Sequence, residues 1–139
     1  MRQPDRRVDT GVVLLDTTSP LDEAFDVSFL ERNAHPVVVC HGPEADAGCP
    51  LVGGQGCEMF DRANGIVFQL DLDEPENRAI LEQYRQLNAD IPIRVVVRPR
   101  QLETYHELLS RFEVLVRDPT AADLDGFAAE VEAADRLAE

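Results

Sequence analysis

Apolar positions fall into five short runs, each followed by a polar or helically spaced stretch. The segment 65–87, GIVFQLDLDEPENRAILEQYRQL, organises the rest. Asn64-Gly65 marks a turn. Ile66, Val67 and Phe68 then begin a strand that Gln69 and Leu70 carry to Asp71. Asp73-Glu74-Pro75 reads as a helix start. Proline suits the first helical position, where an N–H would have no intrahelical partner, and the acids face the positive end of the helix dipole. Ile80, Leu81, Tyr84 and Leu87 fall at i, i+1, i+4 and i+7, one apolar face of a helix. The next run, 91–97, is almost continuously apolar, as in a parallel strand covered on both faces. Asp71 is therefore expected at the carboxyl end of a central strand, where open α/β sheets place their sites.

The remaining segments arrange themselves around this unit. Residues 1–10 are polar and read as a flexible N-terminal tail, with one domain over 11–139. A strand over 11–16 ends in Asp16. Ser19-Pro20-Leu21-Asp22 has the capping pattern of a helix start, and Leu21, Phe25, Val27, Phe29 and Leu30 supply an untidy buried face. A second strand covers 37–40. The glycines at 53, 54 and 56 rule out one long helix through the Cys-rich loop 40–57, leaving a loop to 48, a turn over 49–52 and a short helix near 57–63. Leu102, Tyr105, Leu108, Leu109 and Phe112 recur at helical spacing, 113–116 is a fifth strand, and Thr120 to Asp123 caps a last helix. Strand and helix alternate five times. Right-handed crossovers make this a doubly wound α/β fold, a five-stranded parallel sheet of flavodoxin-like order 2-1-3-4-5.

A chain of 139 residues fits one domain, and 44% hydrophobic content supplies a core. The formal net charge of −14 opposes direct binding to nucleic acid or to anionic membranes. No apolar run is long enough to cross a bilayer, and the N-terminus lacks the apolar stretch of a signal peptide, so a cytoplasmic location is expected. All 13 basic residues are Arg.

With its strand-to-helix context, LDLDEP resembles the central motif of a response-regulator receiver domain, and the likeness runs over nearly the whole chain from Gly11. The resemblance implies a phosphoacceptor at Asp71, with Pro75 four residues on. It implies Mg²⁺ held by an acidic pair after the first strand, where this chain has Asp16 followed by Thr17. The family's Thr or Ser after the fourth strand is matched by Val97. Its Lys-Pro after the fifth is matched by Asp118-Pro119, and its aromatic switch by Leu115. An acyl phosphate needs a cation and donors for its oxygens. Val97 has no hydroxyl, Asp118 repels, and no Lys exists to substitute. The expectation is a degenerate receiver-like signalling module, not an enzyme, which binds a protein partner without ordinary aspartyl phosphorylation. Its acidic pocket would comprise Asp16, Asp71 and Asp73, with Arg98 and Arg100 as anion contacts. Helix capping and solvation also account for Asp71 and Asp73.

Cys40, His41, Cys49 and Cys57 lie within 18 residues. Such density in a reducing compartment points to metal or redox chemistry more than to disulfides. Three Cys and one His suit Zn²⁺ or an iron–sulfur cluster. The gaps of eight and seven residues are not the short spacing of a zinc knuckle. A small thiol-based redox enzyme and plain packing of three small side chains stay open. The enzyme lacks support from any C-x-x-C, C-x₅-R or Gly-rich nucleotide loop. The Cys loop is expected to fold over the carboxyl edge and cover the acidic pocket, with Cys40 ~10 Å from Asp71. His35 lies at the far end of the second strand, and His106 is expected to be structural.

Overall fold

The computed structural model describes residues 11–33, 35–42, 49–54, 56–87 and 90–138; the expected tail and loop residues 43–48 lie outside them. In chain order the elements are β1 (Val13–Asp16), α1 (Pro20–Arg32), β2 (Val37–Cys40), α2 (Glu58–Arg62), β3 (Gly65–Phe68), α3 (Pro75–Leu87), β4 (Ile93–Val96), α4 (Pro99–Thr104), α5 (His106–Leu109), β5 (Glu113–Leu115) and α6 (Ala121–Ala138). The strands form one sheet in the order β2-β1-β3-β4-β5, parallel throughout, as the alternation of runs requires. Among the described residues no helix is long and apolar enough to cross a membrane.

Two apolar layers sandwich the sheet. Leu14, Ile66, Phe68 and Val95 point to one face and pack with Ile80, Leu81 and Tyr84 of α3, with Met59 and Phe60 of α2, and with Leu109 of α5. Val13, Leu15 and Val67 point to the other, against Leu30 of α1 and Phe127 and Val131 of α6. The period-2 alternation of strands thus divides one continuous apolar run between two cores. Gly65 sets the approach of α6: a Cβ there would lie 2.6 Å from Cγ2 of Val131 and 3.0 Å from Cζ of Phe127.

The helix starts follow their local chemistry. Ser19 caps α1, its Oγ accepting from the Asp22 N–H at 3.3 Å, with Pro20 next. Thr120 and Asp123 form a reciprocal cap on α6 at 2.8 and 3.2 Å. Three expectations need correction. The face of α1 does not bury Leu21 or Phe25, which are 83% and 40% exposed; Asp26 and Leu30 turn inward instead. Leu87 at the end of α3 is 48% exposed. The helix expected over 102–112 is broken at Tyr105 into α4 and α5. The break falls where the Tyr105 hydroxyl reaches Asp73 at 3.0 Å and Arg78 stacks over its ring.

Candidate functional site

Asp16 closes β1, paired in register with Cys40 of β2 on one side and Phe68 of β3 on the other. It lies wholly inside the fold, on the α3 face. The Tyr84 hydroxyl donates to its Oδ2 at 2.7 Å, while the buried Oδ1 has no hydrogen-bond partner among the described residues. Burial pushes the Asp16 carboxyl up from 3.8 to about 7, opposed by the Tyr84 hydroxyl and by the Cys40 thiol. The neighbouring Asp16 charge, added to burial, also drives the Tyr84 hydroxyl upward. Thr17 is buried too; its N–H donates to the Cys40 carbonyl and its Oγ1 accepts from the Ser19 N–H.

Asp71 and Asp73 occupy the outer part of the rim. β3 ends at Phe68, so Asp71 stands in the turn three residues beyond rather than closing the strand. The cause is visible in the ladder: the Gln69 N–H still reaches the Asp16 carbonyl at 2.7 Å, after which the chain turns to start α3. Oδ1 of Asp71 accepts from the Asp73 N–H at 3.0 Å and from Nε2 of Gln101 at 2.8 Å. The Asp71 carbonyl accepts from Nδ2 of Asn77 at 2.9 Å. Asp73 pairs with Arg100, Nη2 to Oδ2 at 2.5 Å, and accepts from Tyr105. The Arg100 hydrogen bond, then that of Tyr105, hold the Asp73 carboxyl below the ordinary range. Arg100 is thus engaged by an acid of the protein itself, while Arg98 is exposed at the start of α4. The three acids do not share one pocket: Asp71 and Asp73 face solvent, and Asp16 faces the core.

The cysteines are free and half-buried, and all three pack against the apolar cluster on the α3 face. His41 turns away; its Nε2 meets Oε1 of Glu23 at 3.0 Å on the surface. Among the described residues no three His, Cys, Asp or Glu side chains group so as to hold a metal ion, so the set Cys40, His41, Cys49 and Cys57 is not gathered for zinc or an iron–sulfur cluster. Gly42 lies beside Leu70 and Asn77, and a Cβ added to it would stand 3.5 Å from Leu70 Cδ2, so the chain leaving β2 crosses above the end of β1 to the β3–α3 turn. His35 is buried at the opposite rim, with Nδ1 2.8 Å from the Gly11 carbonyl, and His106 is exposed at the start of α5.

No family profile and no curated protein matches the chain. Solved structures do. A response-regulator receiver domain from Clostridium thermocellum superposes with a TM-score of 0.68 at 12% identity, over 93% of this chain and 99% of that one. The fold is that of a response-regulator receiver domain. The Mn²⁺-bound response regulator Rcp1 matches at 0.56 and 21% identity, over 88% and 90% of the two chains. A streptococcal protein described as one of a family of redox sensors evolved from two-component response regulators matches at 0.59 and 15%, over 91% of this chain and 52% of that one.

Within this receiver-like fold the residues do not fit the Mg²⁺ that the resemblance implies. Asp16 keeps one oxygen on Tyr84 and both out of solvent, and Thr17 supplies no second carboxylate. Val97 is buried in the core cluster, and Asp118 is exposed before the buried Pro119. Two functional side chains escaped the sequence. Tyr84 reads there as one member of an apolar stripe, and nothing signals that its hydroxyl meets an acid 68 positions away. Gln101, 4% exposed, links the Arg98 N–H to Asp71 through the two ends of its amide. Only its place three residues after the α4 cap hints at that role.

Proposed function

We propose that this receiver-like domain is a regulatory module that docks a protein partner and is not switched by ordinary aspartyl phosphorylation. The observation that carries the second part is the state of Asp16: one oxygen is bound by Tyr84 and the carboxyl is shut away from solvent. That leaves no carboxylate there to hold a cation that would shield a phosphoryl group on Asp71. Of the guanidinium groups at this turn, Arg100 is already paired with Asp73 and Arg78 with the Leu72 carbonyl. Acetyl phosphate with Mg²⁺, followed by intact mass, tests the reading: the mass stays unchanged, and a stable phosphoryl gain on Asp71 sinks it.

Docking is supported by α1. Leu21 and Phe25 stand one turn apart on its outer surface, and the Phe25 ring lies 4.8 Å from that of Phe29. Arg32 stacks over the Phe29 ring at the end of this stripe, and the chain's net charge of −14 favours a partner with an apolar, basic contact face over a second copy of so acidic a chain. Leu21→Asp with Phe25→Asp leaves the fold intact, since both side chains are exposed, and abolishes binding of a partner captured by the wild-type protein. Undiminished binding removes α1 as the docking face.

A second reading, oxidation of the thiols as the input, is favoured by the gathering of Cys40, Cys49 and Cys57 on one apolar cluster beside Asp16. The streptococcal redox sensors offer a precedent on the same fold.

A further inference from the structure

We propose that Cys40, Cys49 and Asp16 form a peroxide-responsive unit, in which Asp16 takes the Cys40 proton as Cys40 closes a disulfide onto Cys49. This rests on the thiol reading above and names its residues and chemistry.

The unit stands on three observations. Asp16 and Cys40 are register partners at the ends of adjacent strands, and the thiol lies against the carboxyl. Tyr84 fixes Oδ2, leaving Oδ1, fully buried and without a hydrogen-bond partner among the described residues, as the free face of the acid. Cys49 packs against the same apolar cluster as Cys40. Cys49 opens a tight turn, closed by the Gly53 N–H on its carbonyl at 3.0 Å and anchored by the buried Leu51. Pro50, Gly53 and Gly54 of that turn are exposed, which gives a small oxidant a route to it. The bond requires the two Cα atoms to stand about 5.5–6 Å apart. Cys57 is less suited: it caps α2, its carbonyl held by the Asp61 N–H at 2.9 Å.

The chemistry balances with hydrogen peroxide as oxidant. The Cys49 thiolate attacks one peroxide oxygen, the O–O bond breaks, and the products are a Cys49 sulfenic acid and, after protonation of the departing hydroxide, water. Burial holds the Cys40 thiol up at about 11, so it needs a base to react. Oδ1 of Asp16 accepts its proton while the Cys40 sulfur attacks the Cys49 sulfur. The S–S bond forms and the S–O bond breaks. The leaving hydroxide takes the proton back from Asp16 as a second water. Two thiols and one peroxide thus give one disulfide and two waters, and Asp16 returns to its starting state.

The test uses the full chain, reduced and then exposed to one equivalent of hydrogen peroxide at pH 7.5. It is read by intact mass, peptide mapping and trapping of sulfenic acid with dimedone. Wild type forms the Cys40–Cys49 disulfide. Cys40→Ser stops at a dimedone-reactive Cys49. Asp16→Asn, checked for native folding by circular dichroism, oxidises Cys49 at the wild-type rate but closes the disulfide roughly a hundredfold more slowly, the usual weight of a positioned base. Equal closing rates in Asp16→Asn and wild type overturn the role of Asp16. A Cys49–Cys57 bond overturns the pairing and leaves the thiol reading standing. A Cys49 that resists peroxide ends both.

Discussion

Asp16→Asn separates the folded protein's acid from its fold. In the folded chain burial raises this carboxyl from 3.8 to about 7. Between those values the native state holds a proton that the unfolded state has lost. Stability contributed by the protonated acid is complete below the unfolded value and falls as pH rises through the folded one, at about 1.4 kcal/mol per pH unit. From pH 5 to pH 8 the descent covers about two units before it levels, a loss of about 3 kcal/mol. Asn carries no such charge. Its Oδ1 can accept from Tyr84 as Oδ2 of Asp16 does, and its amide N–H₂ faces Cys40, where an unpaired donor costs about 1–2 kcal/mol at every pH. The offset between variant and wild type is therefore uninformative, and its change with pH is the measurement. Urea unfolding at pH 5 and pH 8 should show the variant gaining about 3 kcal/mol on wild type over that interval. Asp26, also raised to about 7 by burial and by Asp22, imposes a slope of its own, which both proteins share and the difference cancels. A difference that stays constant from pH 5 to pH 8 refutes the account of Asp16 as a buried, proton-holding acid.

Tyr84→Phe removes the donor to Oδ2 and should cost about 1–2 kcal/mol at pH 5, and more at pH 8, where the acceptor is charged; urea unfolding at the two pH values reads the increase. Gly65→Ala places a methyl 2.6 Å from Val131 Cγ2, so α6 must shift, and a thermal melt should show a loss of about 1–3 kcal/mol.

Much of the fold was legible because parallel topology leaves a strong mark. Apolar runs at 37–40 and 65–68, and at 93–96 with Arg94 as the one break, suit a sheet covered on both faces, and Ser19, Pro75 and Thr120 announce helix starts by local chemistry. α1 was legible as a helix but not in its orientation. Its apolar residues occupy two sides, and the sequence does not say that Leu30 goes inward with Asp26 while Leu21 and Phe25 remain outside. The site was less legible for a related reason. Asp16 and Asp71 were rightly placed at one rim, but their environments depend on partners far along the chain: Tyr84 on α3 and Gln101 on α4. A motif records what stands beside an acid in sequence. It does not record which oxygen a distant hydroxyl occupies.

The two acids have consequently parted company, and the chemistry open to each differs. Asp71 and Asp73 lie in water, where the Arg100 pair favours the charged form of Asp73 and solvent screens the rest. A phosphoryl group on Asp71 would bring about −1.5 to −2 charge beside Asp73 and Glu74, in a chain already at −14, with the guanidinium of Arg100 committed. Asp16 sits where added charge is resisted by burial, so the events able to act on it are uptake or release of a proton and a change at the adjoining Cys40 sulfur. Both reach β1 and β2 at their paired ends, and α1 begins at Pro20, only four residues after Asp16. On the readings proposed above, α1 is also the docking face. A chemical change at the Asp16–Cys40 pair then has a short, packed path to the partner through Thr17 and the Ser19 cap, whose hydrogen bonds join the Cys40 carbonyl to the first turn of α1.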